Sequence, residues 1–253
     1  MDNNSSITQH NREIHQNYAA WLRKPVLQKV YASFYKKIEK QINPKLEGLV
    51  VEIGSGMGNI KKIIPNCITT DLFSNPWIDQ VESMYNLSFP DKSVSHLILF
   101  DVWHHLEFPV AALNEASRVL VSGGKIILLE PAMSFLGKII YGFFHHEPLG
   151  YNIKLNDASS NLDFSVINRY FAAQSSAQRV FIEREISSIF NTLNICHLEK
   201  ITDFSYWGSG GFSGKQLYPN FMYPIIKIID KILGLFPSIF SARLLVVLEK
   251  NEV

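Results

Sequence analysis

The sequence predicts an α/β fold, with a doubly wound, mostly parallel sheet and helices on both of its faces. Three observations support this prediction. A short apolar run at 49–52 leads into a glycine-rich turn and then into helical spacing at 57–64. Further runs of strand length lie at 67–71, 95–100, 125–130, 193–203 and 244–249. A helical pattern separates several of these runs, as at 111–121, and strands that alternate with helices are typical of parallel sheets.

The composition is that of a globular protein with no general attraction to nucleic acid. The chain has 253 residues, of which 47% are hydrophobic and 19% charged, and its formal net charge is +1. So small a charge provides no overall field toward nucleic acid or an acidic surface. Cys67 and Cys196 lack metal-binding or redox spacing, so we expect buried, reduced thiols and a cytoplasmic protein. The polar N-terminus lacks the apolar segment of a signal peptide, so none is expected.

The N-terminal region is predicted to be mainly helical. Residues 1–16 are expected to be frayed, because they are polar and terminal. From 18 to 42, an apolar residue recurs every four positions, which predicts a helix; these residues are Leu22, Val26, Val30, Phe34 and Ile38. Pro25 interrupts the pattern near its start, so two helical pieces are expected.

Three glycines on alternate positions follow the first strand. Gly54, Gly56 and Gly58 come just after the acid Glu52. Glycine allows positive φ and leaves no Cβ between the backbone and a ligand. In an open α/β sheet, such a turn lies at the carboxyl edge, where ligands bind. Asn59 stands where the dinucleotide fingerprint has its third glycine, which disfavours an NAD-dependent oxidoreductase, and Glu52 suits a cationic ligand better than a pyrophosphate.

The second strand, 67–71, ends in an acid. Asp71 at the end of this strand can accept hydrogen bonds from both hydroxyls of a ribose. The alternative is an aspartate that stabilises a turn or caps a helix, which is common in general. The spacing of Asp71 from the glycine turn favours the ribose ligand.

Three later segments extend this pattern in a fixed order. Residues 81–93 read VESMYNLSFPDKS, residues 101–106 read DVWHHL, and residues 118–124 read RVLVSGG. Together with the glycine turn and Asp71, they resemble the ordered motifs of class I S-adenosylmethionine-dependent methyltransferases. The resemblance is to small-molecule enzymes like those of ubiquinone and menaquinone biosynthesis. Ser83 departs from this pattern, because the family has an aspartate there for the adenine amino group.

The resemblance implies a Rossmann-like fold with a seven-stranded sheet, whose last strand runs antiparallel between strands five and six. It implies S-adenosylmethionine as the cofactor. The cofactor-binding residues that it implies are Glu52, Gly54, Ser55, Gly56, Gly58, Asp71, Leu72, Ser83, Met84 and Asp101. For the adenine, the side chains of Ser83 and Glu82 and the backbone at Met84 all remain open as contacts.

The resemblance also places the methyl-transfer centre just after strand four, at His104 and His105. A neutral imidazole there can accept a proton near neutral pH, and His104 is favoured because His105 resembles the start of the next helix. The alternative is structural, with one histidine capping a helix and the other packed or solvated. Neither this pair nor 145–147 has a recognised ligand spacing, so no metal is expected. The candidates for the acceptor pocket are Tyr18, Trp21 and His145, and packing is the alternative for the two aromatic residues.

The region after 131 is less typical of the family. It is predicted to contain a polar loop at 152–168, a helix at 179–189 and a glycine- and serine-rich loop at 205–214. Segment 223–240 is apolar except for a few residues, and its three charges and Pro237 disfavour a membrane-spanning helix. Its wide apolar face can pack on the sheet, which is favoured, or lie in a bilayer interface.

We therefore expect a single domain, 1–253, with a helical cap (1–47), a cofactor-binding half (48–131) and an acceptor side (132–253). The expected function is methyl transfer from S-adenosylmethionine to a small-molecule or lipid-linked acceptor. The competing hypothesis is a partner or regulatory protein that binds S-adenosylmethionine without catalysis. The expected location is cytoplasmic, with peripheral membrane contact through 223–240 left open, and no nucleic-acid partner is expected.

Overall fold

The computed structural model describes residues 3–145, 147–155 and 170–251, and a sheet of seven strands runs through the centre of this part. The strands are β1 (Leu49–Ile53), β2 (Ile68–Asp71), β3 (Gln80–Val81), β4 (Val94–Phe100), β5 (Leu120–Pro131), β6 (Leu193–Thr202) and β7 (Ser241–Lys250). Their order is β3-β2-β1-β4-β5-β7-β6. Strands β1 to β5 pair in parallel, whereas β7 is antiparallel to both β5 and β6. The predicted fold, including its antiparallel last strand, is confirmed.

Helices cover both faces of this sheet. The α-helices of the described ranges are α1 (Asn3–Arg23), α2 (Pro25–Glu39), α3 (Pro109–Val119), α4 (Phe135–Phe144), α5 (Ser176–Phe181), α6 (Phe204–Ser209), α7 (Tyr223–Leu233) and α8 (Pro237–Phe240). On β4, Leu97 and Leu99 belong to the apolar layer that includes residues of α3 and α5. Ile98 and Phe100 belong to the opposite layer, with residues of α2. Successive side chains of a strand point to opposite faces, so a strand covered on both sides is apolar throughout.

The N-terminal region forms two helices, as Pro25 predicts. Pro25 is the first residue of α2, where the missing N–H costs no helical hydrogen bond. The expectation of a frayed N-terminal segment is wrong for residues 3–16, because α1 begins at Asn3. Ile14, Ala20 and Trp21 of α1 are buried, so tertiary packing holds a helix whose overall composition is polar.

Two predicted helices are shorter than their apolar patterns suggest. After the glycine turn, only a short 3-10 helix forms, Asn59–Lys62, because Pro65 follows closely and cannot continue a helix. The predicted helix at 179–189 is also wrong in extent. It is replaced by α5 and a 3-10 helix, Ser187–Asn191, and Arg184 between them has a positive φ of 59° that breaks the helical path.

The predicted loop at 205–214 begins as a helix. Asp203 caps α6, since its carboxylate accepts a hydrogen bond of 2.8 Å from the backbone N–H of Tyr206. The helix ends at Gly210, which has a φ of 73°. Aspartate before the aromatic run was the sequence signal for this helix.

Other expectations have mixed outcomes. Most of the predicted loop at 152–168 lies outside the described residues. Cys67 is buried as expected, but Cys196 is exposed because it lies on β6, at the edge of the sheet. Within the described ranges, none of the helices has the length and apolar character needed to cross a membrane.

Candidate active site

The glycine turn joins β1 to the 3-10 helix at the carboxyl edge of the sheet. Gly54, Gly56 and Gly58 have φ values of 66°, 53° and 60°, a region that side chains rarely adopt. A Cβ on Gly54 would overlap Val102, and one on Gly58 would overlap the carbonyl oxygen of Trp77. A Cβ on Gly56 would instead enter open space. Two of the glycines therefore permit close packing, and Gly56 leaves room for a ligand.

The ends of β1 and β2 hold this turn in place. Oδ2 of Asp71 accepts a hydrogen bond of 3.0 Å from the N–H of Gly56, and Oδ1 accepts one of 2.7 Å from Leu72. The hydroxyl of Ser55 donates to the carbonyl of Glu52 at 3.1 Å and accepts from the N–H of Thr70 at 3.1 Å. Asp71 thus contacts the turn directly in this structure, and its role as a ribose ligand stays a prediction.

Glu52 places a buried carboxylate beside the turn. Its Oε2 atom is buried and makes no hydrogen bond to any residue of the described ranges. Burial raises the pKa of Glu52 to about 7, and hydrogen bonds with Ser55 and Tyr35 partly oppose this rise. A buried acceptor without a donor is costly, so a cationic ligand at this position would stabilise it.

A cavity of about 1120 Å³ extends from the glycine turn across the ends of β4 and β5. Eight of the predicted site residues line it: Glu52, Gly54, Ser55, Gly56, Asp101, His104, His105 and His145. Residues of α1 that the sequence did not single out also line it, namely Glu13, Ile14, Gln16 and Asn17. The N-terminal helix therefore covers this cavity, as the resemblance implied, but through other residues.

The remaining predicted site residues do not line this cavity: Tyr18, Trp21, Gly58, Asp71, Leu72, Ser83 and Met84. Trp21 is buried against Tyr31, with ring centroids 5.8 Å apart, and Tyr18 packs on Trp77 at 5.0 Å. These contacts favour the packing alternative, and a role of the two aromatic residues at the acceptor stays a prediction. Met84 is a core residue.

The carboxylate of Glu82, one of the open adenine contacts, is already engaged by neighbouring groups. It accepts hydrogen bonds from the side chain of Gln80 and the backbone N–H of Ser88, both at 2.8 Å. These bonds hold the segment after β3 in shape. The adenine contact therefore remains a prediction for Ser83 or for the backbone at Met84.

Asp101 forms an ion pair with a buried arginine, a contact that the sequence did not predict. It follows β4 with a positive φ of 57°, and Arg243 of β7 binds it through two parallel hydrogen bonds, one of them 2.9 Å long. The guanidinium of Arg243 also lies 4.2 Å from the ring centroid of Tyr206. An arginine inside an otherwise apolar strand was the signal for this pair.

Histidines and carboxylates meet at the other end of the cavity. Nδ1 of His104 donates to Oε2 of Glu130 at 2.6 Å, and its Nε2 lies 3.4 Å from Oε2 of Glu147. Nδ1 of His105 donates to the carbonyl of Phe171 at 2.9 Å, and its Nε2 lies 3.6 Å from Oε1 of Glu147. Glu147 thus stands between the two adjacent imidazoles.

The two histidines differ in protonation. Burial alone would lower the pKa of His104, but the carboxylates of Glu130 and Glu147 outweigh it and raise this pKa to about 10. The pKa of His105 is lowered, first by burial and then by the charge of His104. His104 is therefore an imidazolium near neutral pH and has no lone pair to accept a proton. The direction of the two pKa shifts favours His105 over His104 as a base, and the catalytic role of either histidine stays a prediction.

Comparisons with known proteins agree with this architecture. Residues 51–128 match the sequence model of a family described as a methyltransferase domain. These residues run from β1 into β5 and include the glycine turn and both histidines. The resemblance predicted from the ordered motifs is thereby confirmed. No curated protein sequence matches the chain.

Solved structures resemble the chain at low sequence identity. A SAM-dependent methyltransferase from Thermotoga maritima is 14% identical and superimposes with a TM-score of 0.53, covering 95% of this chain and 99% of that one. A SAM-dependent methyltransferase from Methanosarcina mazei is 14% identical with a TM-score of 0.48, covering 85% and 97%. The first of these similarities shows that the fold is shared.

Proposed function

We propose that this chain, whose residues 51–128 match the model of a methyltransferase domain, transfers a methyl group from S-adenosylmethionine to a small-molecule or lipid-linked acceptor. The observation that carries the proposal is one cavity lined by both the glycine turn and the histidine pair. In this proposal residues 48–131 bind the cofactor, 132–253 form the acceptor side and 1–47 cover both. The proposed location is cytoplasmic.

The residues at the turn fit the amino-acid end of S-adenosylmethionine. The buried Oε2 atom of Glu52 accepts no hydrogen bond from the described residues and suits the α-ammonium group. Gly56 leaves open space where a side chain would exclude the ligand. When bound, the cofactor supplies a methyl group on a sulfonium, which is already a good leaving group. The main tasks left to the protein are therefore alignment and exclusion of water.

The histidine end of the cavity fits an acceptor that must lose a proton. Nδ1 of His105 donates to the carbonyl of Phe171, so in the neutral ring Nε2 carries the lone pair. His105 lines the cavity, and its Nε2 is placed to accept a proton from a hydroxyl or similar group. His104 and Glu130 fix the neighbouring backbone, since Glu130 accepts from the N–H groups of Val102 at 2.9 Å and Trp103 at 2.7 Å.

The cofactor is tested by calorimetry with S-adenosylmethionine, S-adenosylhomocysteine and NAD. We expect the two sulfur compounds to bind and NAD not to bind. Gly56→Val should abolish this binding, because its side chain would fill the space that the ligand needs. Gly123→Val is the matched control, since Gly123 has a similar φ of 69° and also faces open space, but does not line the cavity. Binding of NAD alone, or equal loss in both variants, would contradict the proposal.

The alternative, a protein that binds S-adenosylmethionine without catalysis, shares the turn but makes no product. Incubation with labelled cofactor and fractionated cell extract separates the two hypotheses. Formation of S-adenosylhomocysteine together with a labelled product supports the enzyme. Tight cofactor binding with no transfer to any fraction supports the alternative.

An exposed apolar surface borders the acceptor side. We call it the apolar face, and it comprises Phe135, Phe143, Phe144, Ile225, Ile228, Ile229, Ile232, Leu235, Phe236 and Ile239. Phe143 and Phe144 are 82% and 83% exposed. Phe144 and Ile229 also line the cavity, so the apolar face reaches its rim. Exposed apolar patches of this kind mark contact with a membrane or another protein.

The orientation of helix α7 on the protein is the opposite of the one that the sequence favoured. Packing on the sheet was favoured, yet Asp230 is the residue of this helix that is buried. Its Oδ1 atom accepts a hydrogen bond of 2.6 Å from the N–H of Phe204, and Oδ2 pairs with Lys227 at 2.9 Å. The side of the helix that carries Lys227 and Asp230 therefore faces the protein, and four isoleucines face outward: Ile225, Ile228, Ile229 and Ile232.

We infer from this orientation that the acceptor is lipid-linked and that the apolar face lies in a bilayer interface. Flotation with vesicles of phosphatidylethanolamine and phosphatidylglycerol tests this. Burying each isoleucine contributes about 1.5–3 kcal/mol, so the double variant Ile228→Glu, Ile232→Glu should bind vesicles at least about tenfold more weakly. Val81→Glu, on the opposite edge of the sheet, is the control. A wild-type protein that stays in solution would contradict membrane contact without touching the cofactor proposal.

A further inference from the structure

The side chains of His104, His105 and Glu147 form a compact group, which we call the His–Glu cluster. Each of them offers a ligand atom, and these atoms all lie within 4.8 Å of one another. The two histidines come from the segment after β4, and Glu147 comes from the segment after α4. In the sequence these were two separate motifs without a recognised ligand spacing, and the fold brings them together.

The two imidazoles are oriented in the same way. Nδ1 of His104 donates to Glu130 and Nδ1 of His105 donates to the carbonyl of Phe171, so both Nε2 atoms point at Glu147. A carboxylate or carbonyl on the far nitrogen is what metal-ligating histidines have in almost every known site. Glu147 is held as well, since the hydroxyl of Tyr170 donates to its Oε1 at 2.9 Å.

The distances suit a shared cation better than direct hydrogen bonds. The two Nε2 atoms lie 3.4 Å and 3.6 Å from the oxygens of Glu147, beyond the usual N–H···O range of about 2.7–3.2 Å. Ligands held about 2.0–2.1 Å from a tetrahedral zinc ion lie about 3.3 Å from one another. We propose that Nε2 of His104, Nε2 of His105 and the carboxylate of Glu147 bind one divalent transition-metal ion, of which Zn²⁺ is the best-fitting example.

The charges of the surrounding groups support a dication. Two carboxylates, Glu130 and Glu147, flank the imidazoles. The carboxylate of Asp101 nearby is already paired with Arg243, so it does not compete. Binding of the ion displaces the proton that His104 otherwise carries, and one divalent ion with two neutral imidazoles then balances both flanking carboxylates. Two imidazole nitrogens with one carboxylate favour zinc-like ions, whereas magnesium and calcium prefer oxygen ligands.

The site would act on the acceptor. Three protein ligands with an open position are typical of catalytic zinc sites, and all three residues line the cavity. The open position can take an oxygen or nitrogen atom of the acceptor and lower its pKa, a task otherwise left to His105 as a base. This inference rests on the proposed function for its role, but metal binding itself can be measured without any acceptor.

Metal binding is tested on the full chain after removal of ions with EDTA. A titration with Co²⁺ should give the visible absorption of a four-coordinate site, saturating at one ion per chain. Zn²⁺ should displace the cobalt, and Mg²⁺ at the same concentration should not. Absence of the cobalt spectrum, or displacement by Mg²⁺ as readily as by Zn²⁺, would overturn the proposal.

Three variants locate the ion. His105→Gln and Glu147→Gln each remove a ligand, and Glu130→Gln removes the group that orients His104; each should weaken Zn²⁺ binding at least about 10- to 100-fold. His197→Gln removes an imidazole on β6, outside the cavity, and should leave binding unchanged. Unchanged Zn²⁺ affinity in the ligand variants would overturn the proposal. A variant that fails to fold leaves the cobalt spectrum of the wild type to decide.

Calorimetry with S-adenosylmethionine on the same samples keeps the two proposals apart. A protein that binds the cofactor but no cobalt or zinc retains the proposed function and loses the metal site. A protein that binds one zinc ion at the cluster but no cofactor retains the metal site and loses the proposed function. Methyl transfer that persists undiminished in EDTA would remove the ion from the reaction.

Discussion

The fold opposes the ionisation of the buried residue Glu52. Burial raises the pKa of this carboxyl from 4.5 to about 7. A carboxyl whose pKa is higher in the folded than in the unfolded chain contributes stability below pH 4.5, and this contribution is lost as the pH rises through about 7. At higher pH the protein without a ligand must hold a buried, charged carboxylate, which lowers its stability. A cation bound beside this carboxylate would reduce the loss.

Glu52→Gln should therefore stabilise the protein without ligand at about pH 8. From the two pKa values, the gain in the free energy of unfolding is on the order of 3 kcal/mol, and it should vanish below about pH 4.5. Urea unfolding of the variant and the wild type at both pH values measures it. A variant less stable than the wild type at the higher pH would show that the carboxylate is stabilised by contacts in the folded protein.

At the same scale, the sequence predicted the residues whose chemistry is local. Glu52, Gly56 and the histidine pair line the cavity because the turn and the end of β4 are set by short motifs. Glu147 and Arg243 were missed as partners, because each meets its site only through the fold. Contacts between segments so far apart in the chain leave no trace in local spacing.

Among the elements, α7 shows how a buried acid can set the orientation of an apolar helix. Asp230 accepts from the N–H of Phe204 and pairs with Lys227, which joins α7 to the start of α6. In the sequence, the charged residues of this helix suggested an exposed polar side. Nothing in the pattern itself tells which side faces the sheet, because the hydrogen bonds that decide it come from another element.

Asp230→Ala should break the contact between α7 and the start of α6. The loss of charge-assisted hydrogen bonds from a buried carboxylate should lower the free energy of unfolding by about 2–4 kcal/mol. Lys231→Ala is the matched control on the same helix, because Lys231 is exposed, and it should change stability by less than about 0.5 kcal/mol. Urea unfolding measures both, and equal effects would contradict the anchoring role.

On the scale of the whole molecule, the sheet was predictable and the cavity was not. The order of the strands follows from motifs that cover 49–131 and from the apolar runs after them. The walls come from α1, α4 and α6, which lie outside those motifs, so their residues could not be chosen in advance. One part of the cavity is thus formed by residues 49–131, whose motifs the sequence reveals, and the other part is formed by helices outside those motifs.

The position of Glu52 in this cavity allows a prediction of how cofactor binding depends on pH. If the cation of S-adenosylmethionine lies beside Glu52, binding requires the carboxylate form, so affinity should rise as the pH increases through the pKa of about 7. Between about pH 5.5 and 7, the association constant should increase about tenfold, the change expected when this one group loses its proton. Calorimetry across this range measures it, and Glu52→Gln should bind more weakly at neutral pH without this dependence. If the association constant changes equally with pH in the variant and the wild type, the titrating group is not Glu52. The ammonium end of the ligand would then not lie beside Glu52.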